Sequence, residues 1–109
     1  MKDDQVYLRH ILDAVEKIET YLKGQTYESF SNNNMMIDAV VRELEIVGEA
    51  TSHLSDRLRA SHPEIPWRDA IDMRNFLIHE YFGVRTHLIW DTCKEDLPKL
   101  KELIKDLLD

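Results

Sequence analysis

Ile37-Asp38-Ala39-Val40-Val41-Arg42-Glu43-Leu44-Glu45-Ile46-Val47-Gly48-Glu49-Ala50-Thr51 carries the clearest pattern in the chain. Ile37, Val40, Val41, Leu44 and Val47 recur at threes and fours, and Thr51, Leu54 and Leu58 continue the run. This is close to a heptad seam and predicts one long helix from about Asn33 to Ala60. Gly48 lies on or near the seam, where a missing side chain lets a neighbouring helix come close.

Upstream, Leu8, Ile11, Leu12, Val15, Ile18 and Leu22 form a second apolar stripe over Asp4 to Lys23, and Gly24 supplies a stop. The polar stretch Gln25 to Asn34 between the two reads as a turn rich in candidate N-caps. Downstream, Pro63 ends the long helix and Pro66 opens a third, running to about Phe82 with Gly83 as terminator. Thr86 can cap a last segment in which Leu88, Ile89, Leu97, Leu100, Leu103, Ile104 and Leu107 face inward, with a kink or restart near Asp96 imposed by Pro98. No strand alternation, repeat or linker intervenes. The expected fold is all-α: an antiparallel bundle of about four to five helices, with residues 1–109 as one domain. A core this small gains from pairing, so a homodimer is expected.

Composition narrows the function. Of 109 residues, 21 are acidic and 14 basic, giving a net charge of −7. A protein that holds nucleic acid by its overall field would be basic, so any RNA contact here must be local. The one cysteine, Cys93, excludes an internal disulfide and suits a reducing cytoplasm; its plain reading is a half-buried small residue. No leader and no span of roughly 20 apolar residues is seen, so a cytoplasmic protein without membrane attachment is expected.

One residue interrupts the apolar stripe of the third helix. Trp67, Ala70, Ile71, Leu77, Ile78 and Tyr81 project onto one apolar stripe, and Arg74 falls near its middle. A guanidinium keeps its proton and is costly to bury unpaired. Two readings are open: a core arginine held by Glu43, Glu45 or Glu49, or a cleft arginine awaiting a phosphate. His79 lies five residues on, about 140° around an ideal helix, and by itself reads as a surface or capping histidine. Asn75 and His79, an i,i+4 pair, let the amide orient the imidazole. Glu49 and His53 share that spacing, but no third ligand joins them, so no metal site is expected. Glu43 and Glu45 read as helix-surface charge, and Met35-Met36 as packing at a helix start.

The octet Arg74-Asn75-Phe76-Leu77-Ile78-His79-Glu80-Tyr81 reads R-N-x-x-x-H-x-Y. It resembles the signature of the HEPN ribonucleases, and the tyrosine two places after the histidine resembles their HepT-like toxin branch. Arg42-Glu43-Leu44-Glu45-Ile46-Val47-Gly48-Glu49-Ala50, Ile65-Pro66-Trp67-Arg68, and Trp90 with Asp96-Leu97-Pro98 are similar to further motifs of that family, in order along nearly the whole chain. Asp72 departs from the pattern, standing where such sequences often carry glycine. It projects near His79 and can pair with it, or set negative charge beside an RNA site.

The resemblance implies metal-independent RNA cleavage with Arg74, Asn75 and His79 as catalytic residues and no cofactor. The residue types suit it. Attack by a ribose 2′-OH on the adjacent phosphate needs proton transfer, which histidine performs near neutral pH, and charge stabilisation, which arginine's fork supplies. Two facing subunits would supply two histidines. The resemblance further implies a partner, a minimal nucleotidyltransferase antitoxin, that transfers AMP to Tyr81 and so silences the toxin. Packing on the apolar stripe is the plain reading of that tyrosine. The alternative function is a non-catalytic helical partner that presents substrate to the transferase.

Overall fold

The computed structural model describes residues 2–79 and 86–108; the side chains of Lys2, Ile78 and His79 fall outside that description. The described residues are helical with no strand. In chain order they form α1 (Lys2–Leu22), α2 (Tyr27–Ser31), α3 (Asn34–Ser52), α4 (Asp56–Ser61), α5 (Trp67–His79), α6 (Thr86–Asp91), a π turn (Thr92–Asp96) and α7 (Leu97–Leu107). The C-terminal three run on with helical backbone angles at both joins, so four long rods carry the bundle and α2 and α4 are short additions.

The stripe read from α1 is its buried face: Leu8, Ile11, Leu12, Val15, Ile18 and Leu22 are all at most 6% exposed. They pack with Val40, Leu44 and Val47 of α3 and with Leu97, Leu100 and Ile104 of α7 in one core. Each such side chain contributes roughly 1.5–3 kcal/mol by leaving water. At the chain's two ends, the Gln5 side-chain amide donates to the Leu107 carbonyl at 3.1 Å, tying α1 to α7.

The structure departs from the sequence pattern in four places. The polar stretch after Gly24 is not a plain turn but holds α2, started by a capping box in which Thr26 and Ser29 exchange bonds. Phe30 then plugs the core, its ring 5.3 Å from that of Trp90. The helix expected over 33–60 breaks after Ser52. The Ser55 hydroxyl caps α4 by accepting from the Leu58 amide, while the Asp4 carboxylate takes the Ser55 amide at 2.8 Å and its hydroxyl at 2.7 Å. A distant carboxylate thus outcompetes helix continuation. Leu88, expected inside, is 38% exposed, and Met35 is 82% exposed rather than packed.

The restart expected at Pro98 is met by the π turn immediately before it. Pro98 sits in the first turn of α7, and the π turn directly upstream takes up the break in the helical hydrogen bonding that its missing N–H makes. The expected ends of the third helix at Phe82 and Gly83 lie outside the described residues. Asp4 is buried, which alone would raise its pKa, yet the two Ser55 hydrogen bonds hold it below the ordinary carboxylate value.

Candidate functional site

Arg74 owes its position to Gly48. A Cβ at residue 48 would collide with Arg74 Cβ and lie 2.9 Å from the Ala70 carbonyl oxygen. The glycine therefore lets α5 settle on α3 with the arginine side chain running out over the contact. Its guanidinium Nη2 meets Glu49 Oε1 at 2.8 Å, and its Nη1 donates to Asn75 Oδ1 at 3.1 Å. The side chain stays 32% exposed. Of the three glutamates the sequence offered, Glu49 is the one that pairs with it, and protein does not seal the side chain. A guanidinium carries five N–H donors, and two contacts leave others to face an anion.

Asn75 is exposed and oriented by Arg74 through its carbonyl oxygen, which leaves its amide N–H groups to point elsewhere. The backbone of His79 is the last described turn of α5. Its imidazole, and all of Tyr81, lie outside the described residues. Asp72, expected beside His79, has Arg68 as its described partner at 3.8 Å. Glu43, read as surface charge, is instead 6% exposed. It shares a face of α3 with Val47 and Ala50, both buried.

The contacts around Arg74 reach further than the sequence suggests. The second oxygen of Glu49 lies 2.8 Å from His53 Nε2, one turn along α3. The His53 ring in turn stacks on Tyr7 of α1, with centroids 5.0 Å apart and planes 16° from parallel. His10 stands edge-on to Tyr7 at 5.8 Å. The i,i+4 spacing of Glu49 and His53 is visible in the sequence, where the want of a third ligand argues against a metal site. Among the described residues no group of three or more metal-ligating side chains assembles, and the pair bonds to itself and to Arg74. Only the meeting of the start of α1 with the end of α3 adds Tyr7.

A groove of about 390 Å³ lies elsewhere, between α3, α5 and α7. Leu44, Val47, Met73 and Leu100 line it together with Glu64, Asp69, Asp96 and Lys99; Arg74 does not, and the net negative charge of that set does not suit a phosphate. Cys93 is buried and its thiol is pushed up to about 12 by desolvation, which removes it as a nucleophile. No helix among the described residues is long and apolar enough to cross a membrane.

Comparison with known proteins converges on one family. A family profile described as "Ribonuclease HepT-like" matches residues 11–107. A Thermococcus cleftensis protein named "Probable ribonuclease HepT" is 44% identical over 95 residues, 87% of this chain and 86% of that one. A Caldanaerobacter subterraneus protein named "Putative RNase" is 40% identical over 108 residues, covering 99% of this chain and 96% of the relative. A Methanocaldococcus jannaschii protein named "Gamma-glutamylcyclotransferase and putative RNase" is 43% identical over 108 residues, and the chain spans only 49% of its length. No solved structure matches.

Proposed function

The chain belongs to the HepT-like ribonuclease family, and on that premise we propose that it is the toxin of a toxin–antitoxin pair, a metal-independent endoribonuclease whose catalytic residues are Arg74, Asn75 and His79. The observation that carries the reading is Arg74. It is a permanent cation at the α3–α5 contact, held at one corner by Glu49 and still about a third exposed. In the proposed reaction the 2′-oxygen attacks the adjacent phosphorus and the 5′-oxygen leaves. One imidazole removes the hydroxyl proton, a second protonates the leaving oxygen, and Arg74 stabilises the pentacoordinate oxygens. One His79 per chain cannot hold both protonation states at once, so the reading places two copies of the single domain 1–109 face to face.

Silencing by a minimal nucleotidyltransferase antitoxin that adds AMP to Tyr81 belongs to the same proposal. The added phosphate would put negative charge and bulk two residues from His79. A second reading, a non-catalytic partner of the transferase, draws support from Glu49, whose carboxylate occupies part of the guanidinium that a phosphate would take.

Cleavage of single-stranded RNA by the purified chain, with Arg74→Ala and His79→Ala beside it, separates the two. The ribonuclease reading expects each variant to lose about 10²–10⁴ of the rate, and equal rates for all three would end it. Mass spectrometry after co-expression with the transferase tests the modification. An AMP-sized adduct that vanishes in Tyr81→Phe is the expected result.

A further inference from the structure

We propose that the Tyr7–His53 ring pair is a nucleobase-stacking subsite, holding the base that flanks the phosphodiester gripped by Arg74; the proposal rests on the ribonuclease reading above. The pair is built for presentation. The His53 side chain is 50% exposed, while one face of its ring lies on Tyr7 and its Nε2 edge is fixed by Glu49. Tyr7 is steadied in turn by the edge of His10. An imidazole held at one face and one edge loses little further freedom when a flat ring covers the other face.

Distance links this platform to the candidate active site. Glu49 touches Arg74 with one oxygen and His53 with the other, each at 2.8 Å. Guanidinium and imidazole are therefore one carboxylate apart, comparable to the span from a nucleotide's phosphate to its base. The carboxylate need not repel RNA, because its charge is engaged on one side by Arg74 and on the other by a ring N–H.

The net charge of −7 gives the argument its weight. A chain without a basic field cannot gather RNA through phosphates alone, and stacking is the source of affinity that needs no net charge. Stacking on protein rings also requires a base that is not already stacked in a duplex. The subsite therefore selects single-stranded RNA.

The test compares wild type, His53→Ala and His53→Phe on a short single-stranded oligoribonucleotide cut at one place, and on the same oligomer with an abasic ribose beside the cut. His53→Ala should raise KM about tenfold or more with kcat nearly unchanged, while His53→Phe, which keeps a flat ring but loses the bond to Glu49, should recover a large part of that loss. The abasic oligomer should cost wild type a similar factor and cost His53→Ala nothing further. An abasic penalty of the same size in both proteins overturns the subsite, as does a wild-type KM in His53→Ala. Fluorescence anisotropy with the same oligomers gives the comparison in Kd. Base-dependent binding without cleavage would sink the ribonuclease reading and leave the subsite standing, cleavage without base dependence the reverse, and neither binding nor cleavage would overturn both.

Discussion

Helix α3 meets α1 along one side and α5 along another, and the two contacts are made of different materials. Toward α1 the space is filled by volume, from side chains such as Leu8, Ile11, Val15 and Ile18, all essentially unexposed. Toward α5 it is opened by an absence, Gly48, over which Arg74 runs to meet Glu49. Filled contacts tolerate rearrangement at a cost in stability. Around Gly48 the contact is set by clearance and by one ion pair, which together aim a specific group. Substitutions should therefore separate stability from activity according to which side of α3 they touch.

The largest effect on folding is expected on the filled side. Ile11→Ala should cost about 2–5 kcal/mol in denaturant unfolding, through lost burial and the cavity left behind, with the activity of the remaining folded protein unchanged. Gly48→Ala should cost about 1–3 kcal/mol from overpacking and also lower RNA cleavage, because the new methyl displaces Arg74. Full activity in that variant would break the contrast. Asp4→Ala should cost about 1–2 kcal/mol by stripping the Ser55 amide and hydroxyl of their acceptor.

The sign of the accompanying pH effect follows from Asp4's depressed pKa. Its contribution is fully present above the ordinary carboxylate value and is lost as pH falls through the lower folded value. Wild type should thus lose more stability than Asp4→Ala between neutral pH and strong acid, a difference visible in acid titrations of thermal unfolding. Glu49→Gln should be the mildest, under about 1 kcal/mol, since its ion pair with Arg74 is substantially solvated. That loss should shrink further in high salt.

The same contrast explains what the sequence could disclose. Apolar stripes are local and periodic, so the buried face of α1 and the seam of α3 could be read before any coordinates. Gly48's role could be read too, because glycine on an apolar seam has few other uses. The break at Ser55 could not, because its cause is Asp4, 51 residues away, while Leu58 continues the apolar spacing as if nothing had happened. Arg74 announced itself as a charge among hydrophobes, and three glutamates were candidates to meet it. Which one depends on how α5 rotates over Gly48, and that is a tertiary fact. Glu43 was misjudged for the same reason, since periodicity alone does not say how wide a face the neighbouring helices cover. Tyr7 and His53 were invisible as a pair, lying 46 positions apart with no pattern joining them.

The buried thiol of the π turn has a practical corollary. With its proton held up to about 12, Cys93 offers almost no thiolate to maleimides or iodoacetamides at neutral pH. A second cysteine placed on an exposed helix surface would react alone, so a single dye or spin label can be attached to the otherwise native chain. The proposed pairing of two copies and the docking of RNA can then be tested by distance, without first mutating the endogenous sulfur.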